Sequence, residues 1–359
     1  MAREDNDIAR LRERFVCVRI TRMNGVNIRR FEFDFDTTWA AFFLDEKLNV
    51  YSRYGGRDEG EPDDRLNKES LLQTMNEVLQ LHANRPKHSL NQAPIVQPVP
   101  QGISRPSDIA LLRKNQRGCV HCHQVKEYRF LQSYHDGEFS RRKLFGWPLP
   151  ENLGLKLDPK HGHRIAETEG RSPAGKADLL PGDEIIQINN VPIHSELDIR
   201  WALHRASENK PLRFLVRRQK NGGDGRMLSV ELHPEENWRQ TDLSWRKSMR
   251  SVPMDFAFRG YSLTRSQRKS EGLKENQLAI RVVSVRDRGL AKNLGLQKRD
   301  SIIALEGKSK RRTMEQFKSD LLNRYKPGDE VRITVRRDGK NVTLKGLLPD
   351  WHTAETTVP

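Results

Sequence analysis

Ser172–Asn190, Ser-Pro-Ala-Gly-Lys-Ala-Asp-Leu-Leu-Pro-Gly-Asp-Glu-Ile-Ile-Gln-Ile-Asn-Asn, leaves the chain few ways to fold. Small residues over Pro173–Ala177 predict a short helix, Pro181-Gly182 a turn, and the apolar run Ile185–Ile188 a strand. Proline presets φ for a turn, glycine accepts positive φ, and Asp183 is placed to hold the turn's own amides. The block then recurs. At an offset of 117 positions Asp183 falls on Asp300, Ile185 and Ile186 on Ile302 and Ile303, and Ile188 on Leu305. Ala174 falls on Ala291, Leu179 on Leu296 and Asn190 on Gly307. A supersecondary unit repeated at domain-length spacing predicts two similar domains in tandem.

Around the first copy, Asn152–Leu157 reads as a loop and strand, and Ser195–Arg205 as a helix. Leu212–Arg218 and Met227–Leu232 read as a hairpin with its tip at Asn221–Gly225. Around the second copy, Gly260-Tyr261-Ser262-Leu263 takes the part of Gly154-Leu155-Lys156-Leu157. Val331–Arg337, Asp338-Gly339 and Asn341–Leu344 close another hairpin.

This order of residues resembles the PDZ domains of bacterial HtrA-like proteins. Their pattern runs Ser-Pro-Ala, small residues, Ala-Gly-Leu, then Gly-Asp before an Ile-rich strand ending in Asn-Gly. Asp178 and Asn190 stand at two of the family's glycines, and both side-chain types tolerate left-handed backbone. The resemblance implies grooves that bind C-terminal or extended peptide segments of other proteins as an added strand. Loop N–H groups would hold a terminal carboxylate. Leu153, Gly154, Leu155, Leu157, Leu197, Trp201 and His204 would line the first groove; Gly260, Tyr261 and Leu263 would serve the second. Lys298-Arg299-Asp300 replaces Pro181-Gly182-Asp183, so the second domain is expected to be the poorer binder, a structural or docking copy.

Upstream, Phe15–Ile20 reads as a strand, with Cys17 a small buried core residue. Trp39–Leu44 and Asn49–Tyr54 read as a hairpin, and Leu71, Leu72, Met75, Val78 and Leu79 as one face of a helix. Strand, hairpin and helix in this order resemble the second half of a thioredoxin-like domain. The family's cis-proline position, Asp36–Trp39, holds no proline. The order of parts over nearly the whole chain resembles bacterial thioredoxin/PDZ-domain proteins, some of them selenoproteins. That resemblance implies that a redox Cys-x-x-Cys helix lies upstream of Met1. With no signal peptide and no long apolar span, the expected compartment is cytoplasmic as the sequence stands. It is extracytoplasmic if the true N-terminus lies further upstream.

Arg85–Ser107 is a proline-rich linker, and Ile109–Leu112 a single helical turn. Cys119-Val120-His121-Cys122-His123 then admits three chemistries. Cys-x-x-Cys-His is the attachment pattern of covalent haem c, with Cys119 and Cys122 on the vinyl groups and His123 on iron. Distal ligands for it would be His135, His161 or His163. The same residues with His121 or His135 make a zinc set, and the two thiols a redox pair. Further on, Trp238 and Trp245 mark a connecting strap expected to dock on a domain.

With 359 residues and only 35 % hydrophobic content, several small domains are expected. The net charge of +16 permits acidic partners and names none. Arg141–Lys143, Arg217-Arg218 and Lys308–Arg312 lack interleaved aromatics and read as solvated clusters, without a nucleic-acid motif. No nucleophile elbow, phosphate loop or other complete catalytic set is present.

The expected architecture is therefore mixed α/β and β-rich: 1–85 thioredoxin-like, 86–146 linker and Cys/His block, 147–234 first PDZ-like domain. A Trp-containing strap (235–258), a second PDZ-like domain (259–349) and a tail (350–359) follow. The expected function is a peptide-binding scaffold in an extracytoplasmic redox or protein quality-control setting. The alternatives are a c-type haem electron-transfer protein and a thiol oxidoreductase.

Overall fold

The computed structural model describes residues 5–58, 60, 61, 63–84, 103–115, 118–220, 223–251 and 256–349. Most of the proline-rich linker, the Asn221-Gly222 hairpin tip and the tail from 350 lie outside the described residues. The chain forms two compact units, Met1–Tyr128 with Arg141–Thr241, and Arg129–Ser140 with Asp242–Pro359.

In the first unit, helix α1 (Asn6–Arg12) is capped by Asp5, whose carboxylate accepts from the Asp7 and Ile8 amides. Among the described residues no strand pairs with Phe15–Ile20. Val16, Val18 and Ile20 are 96, 81 and 60 % exposed, and Cys17 is exposed rather than buried. Alternating apolar residues make a strand only where an edge is available to pair with. The expected hairpin is present: β1 (Ala40–Leu44) pairs antiparallel with β2 (Val50–Gly55) in a two-stranded sheet. Asp45 holds its turn by accepting from the Lys47 and Asn49 amides at 2.9 and 2.8 Å. The expected helix is α2 (Lys68–Ala83), whose Leu71, Met75 and Val78 pack on Phe43 and Tyr54. Helices α3 (Ala110–Asn115) and α5 (Arg141–Leu144) belong to this unit, and α4 (Cys122–His135) starts in it and ends in the Arg129–Ser140 segment of the second.

The first repeat then lays down β3 (Leu155–Leu157), β4 (Ile165–Thr168), α6 (Pro173–Lys176), β5 (Glu184–Ile188) and β6 (Val191–Pro192). Helix α7 (Glu196–Arg205) and the hairpin β7 (Leu212–Lys220) and β8 (Gly223–Leu232) complete it. Strands β3 and β4 form one sheet, and β6-β5-β7-β8 another. One core joins Ile165, Leu179, Ile185, Ile188, Leu197 and Phe214 of this repeat with Ile28, Phe33, Phe35, Ile109 and Val125 from upstream.

In the second unit, the repeat comprises β9 (Phe258–Ser262), α8 (Arg265–Ser270), β10 (Ile280–Val285), α9 (Gly289–Leu294) and β11 (Ser301–Leu305). Helix α10 (Met314–Arg324), β12 (Glu330–Arg337) and β13 (Lys340–Leu347) follow, with the sheet ordered β13-β12-β11-β10-β9. The 117-residue offset holds at atomic detail. Gly182 donates to the Ile165 carbonyl at 2.8 Å, and Arg299 to that of Val282 at 2.9 Å. The Asp in each turn accepts a local amide, from Leu180 or Gln297, and a two-pronged grip from an arginine on the strand that neighbours β5 or β11 in its sheet. Arg218 reaches Asp183 and the Asp178 carbonyl; Arg337 reaches Asp300 and the Gly295 carbonyl, all at 2.7–2.9 Å. Both aspartates are buried, so the paired charge is what makes their burial tolerable. Arg218, expected on a solvated cluster, is thus a structural clasp.

Candidate functional site

The first groove is built from the turn before β3, from β3 itself and from α7. Pro150–Leu153 winds as a 3₁₀ turn that ends at Gly154 in the left-handed region, φ +83°. A Cβ there would collide with the Ser172 hydroxyl, so glycine is required. Its N–H already donates to the Glu151 carbonyl at 2.9 Å. Leu153, Leu155, Leu157 and Leu197 are all buried in the shared core.

Helix α7 is buried from Leu197 to Leu203, because residues 32–57 clothe its outer surface. Asp198 accepts from the Ser52 hydroxyl at 2.6 Å and the Arg53 amide at 2.9 Å, and the Ser195 hydroxyl donates to the Arg53 carbonyl. The Arg53 guanidinium lies 3.8 Å from the Trp201 ring, and the Trp201 indole donates to Glu32 at 3.2 Å. Burial lowers Arg53 to about 10, with Asp198 and Glu32 opposing, and the same burial raises the Asp198 carboxyl. Arg200, fully buried, donates to Asp34 at 2.8 Å and to the Arg57 carbonyl at 3.0 Å. Lys126 sits 3.1 Å from Asp34 and 2.8 Å from Asp36, closing a buried network of two cations and two anions. His204 stacks on Trp147 at 4.5 Å between centroids.

Arg65 completes the enclosure. It reaches Glu151 beside the loop at 2.7 Å, Glu196 at the head of α7 at 3.1 Å, and Asp58. A cavity of about 260 Å³ lies among Tyr54, Arg65, Glu151, Lys156, Leu157 and Glu196. The residues expected to line this groove are thus brought together, with the chain's own side chains over them. Arg53, Arg65 and Asp34 carry no local pattern that would mark them in the sequence; the partners that tie them to the groove, Asp198, Glu151 and Arg200, are 145, 86 and 166 residues away.

In the second domain the register differs from expectation. Glu169 donates to the Gly154 carbonyl at 3.0 Å, and Arg286 to that of Ala257 at 2.8 Å. Leu157 pairs with Ile165 and Gly260 with Val282. Ala257, φ +55°, is therefore the counterpart of Gly154, Phe258 of Leu155 and Gly260 of Leu157. Alanine at a left-handed position hid the loop, and the span from Gly260 to Val282, which carries α8, is 14 residues longer than that from Leu157 to Ile165. Gly260, Tyr261 and Leu263 accordingly lie within and just beyond β9, not in the loop. A Cβ on Gly260 would come within 2.6 Å of the Arg281 carbonyl, so this glycine serves close strand packing. Tyr261 is 44 % exposed and Leu263 is buried.

Strand β9 is the edge of its sheet, and among the described residues only β10 pairs with it. Helix α10 packs beside it, with Phe258 and Phe317 edge to face at 6.5 Å. Arg259 and Tyr261 face out from the strand, both exposed.

The Trp238 half of the strap docks as expected. Its indole is buried, and Asn152 donates to the Trp238 and Gln240 carbonyls at 2.8 and 3.0 Å. Arg239 inserts beneath the end of α7 and donates to the carbonyls of Leu203, His204 and Ala206. Within the second unit, the Leu243 amide donates to the Ser319 hydroxyl on α10 at 2.9 Å.

The Cys-x-x-Cys-His block straddles the start of α4. Cys119 is exposed, whereas Cys122 packs on the core beside Val120 and Val125, and burial pushes its thiol up. A zinc ligand and a redox nucleophile each need the thiolate, which that burial disfavours. Among the described residues no three His, Cys, Asp or Glu side chains converge as metal ligands.

A family model described as PDZ domain matches residues 152–233 and 264–346. No curated protein matches. Among solved structures, the HtrA-type protease AlgW, in a single-residue variant with a decapeptide, is 18 % identical with a TM-score of 0.27. The alignment covers 52 % of this chain and 54 % of that one. AlgW with a decapeptide is 16 % identical, TM-score 0.23, over 39 % and 49 % of the two chains. AlgW with a tripeptide is 21 % identical, TM-score 0.21, over 36 % and 42 %. The chain spans about half the length of these structures or less. Together with the repeated register and hydrogen bonding, the family match shows that the chain carries two PDZ domains in tandem.

Proposed function

We propose that this protein is a peptide-binding scaffold whose second PDZ domain, rather than its first, presents the working groove. The observation that carries the reading is β9, an edge strand beside α10 to which no described strand adds on its outer side. An extended segment can add there through main-chain hydrogen bonds, with side-chain pockets supplying selectivity. The first domain is turned inward. Its α7 is the anchor for residues 32–57, and Arg65 spans from Glu151 to Glu196. That division reverses the order expected from the turn residues alone.

Hydrogen exchange of the whole chain, with and without binders selected from a peptide library, tests the reading. Bound peptide is expected to slow exchange across 258–262 and to leave 155–157 unchanged. Binders that protect 155–157 and leave 258–262 untouched would overturn it.

A further inference from the structure

The basic excess of the chain is concentrated in one domain. Residues 256–349 hold 23 Lys and Arg against 10 Asp and Glu, whereas residues 147–234 hold 13 against 12. The acidic side chains of the second domain are largely engaged. Asp300 is clasped by Arg337, Asp320 sits between Arg312 and Arg324, and Glu271 holds Arg281 and Ser301.

Cations without such partners flank β9. Arg259 is exposed on the strand and Lys318 lies half-buried on α10, the helix that packs beside it. Among the described residues neither forms an ion pair. Burial lowers the Lys318 ammonium, with Glu315 opposing and Arg259 adding to the effect, so the two cations feel one another. Where β9 ends, Leu263 donates to the Ala279 carbonyl, and the neighbouring Leu278 donates to that of Ser309. The exposed loop with Lys308, Lys310 and Arg311 therefore lies one strand over from the end of β9.

We infer that the second groove selects acidic peptides: an extended segment on β9 with Asp or Glu facing Arg259 and Lys318, and further acidic residues running toward Lys308–Arg311. The inference rests on β9 being the working edge. Charge complementarity of this kind governs partner choice and association rate and weakens with salt. A like-charged peptide would be repelled by the same groups.

Fluorescence anisotropy on the full chain tests it, with paired labelled peptides sharing an apolar C-terminus and carrying either Glu or Gln upstream. The acidic peptide is expected to bind about tenfold more tightly at about 50 mM NaCl, the gap narrowing by about 300 mM. Arg259→Gln with Lys318→Gln should bring the acidic peptide down to the level of the Gln peptide. Lys340→Gln, on the far β12–β13 hairpin, should leave the preference intact. Equal binding of both peptides, with β9 still protected from exchange, overturns the charge inference and keeps the groove. Binding of neither, with no protection at β9, overturns both. Single-stranded DNA of matched charge displacing the peptide equally in the wild type and the Arg259/Lys318 variant would assign the effect to a general basic surface, overturning the inference.

Discussion

Arg299 and Ala257 hold backbone conformations that the first repeat gives to glycine. Arg299 has φ +77° against +91° at Gly182, and Ala257 +55° against +83° at Gly154. A side chain in the left-handed region costs on the order of 1 kcal/mol. Arg299→Gly is therefore expected to stabilise the second unit by up to about 1 kcal/mol, offset in part by the added freedom of the unfolded glycine. Urea unfolding followed by a probe in that unit checks this; a loss of stability would contradict it. Glu32 carries a second residue-scale expectation. Burial raises its carboxyl, but donation from His204 and Trp201 and the nearby Arg205 outweigh that and lower it to about 2 from the usual 4.5. A depressed carboxyl contributes stability that is present above the unfolded value and lost as pH falls toward the folded one. Stability of the first unit should thus fall between about pH 4.5 and 2, with a shallower slope in Glu32→Gln; identical slopes would argue against it.

At the scale of elements, α7 depends on what surrounds it. Arg239→Ala leaves the carbonyls of Leu203, His204 and Ala206 without this donor, at a cost of about 1–3 kcal/mol. Asp34→Ala removes the carboxylate that the buried Arg200 and Lys126 share, costing about 3–5 kcal/mol, and Arg200→Met added to it should recover part of the loss. Thermal unfolding of the single and double variants decides; strict additivity would contradict a coupled network. These dependencies explain which parts of the site were legible. Helix–turn–strand units, the β7–β8 and β12–β13 hairpins and α2 follow from local periodicity and turn chemistry. The second loop was hidden because Ala257 stands at its left-handed position and the connection after β9 is longer. Residues 15–20 alternate like a strand, yet no described strand pairs with them, and alternation by itself cannot supply a partner.

For the molecule as a whole, charge and enclosure distinguish two copies of one fold. Long-range partnerships such as Ser52 with Asp198 or Asp34 with Arg200 join residues about 150 positions apart. No window of sequence contains both partners, so the closure of the first groove was not legible, while the tandem repeat was. A chain lacking residues 1–84 would lose Glu32, Asp34, Arg53 and Arg65 at once. It should lose cooperative unfolding of residues 141–241, read by the sharpness of the Trp201 and Trp238 fluorescence transition. A sharp, unshifted transition would show that the first domain needs none of them.

The aspartate–arginine clasp has a consequence for how each repeat finds its fold. Sliding β7 or β12 by one residue would turn its core side chains to the opposite face. It would also carry Arg218 or Arg337 about 3.4 Å along the strand, away from a carboxylate fixed in its own turn. The clasp closes only when strand and turn are in step. It therefore works as a gauge of correct alignment between distant segments.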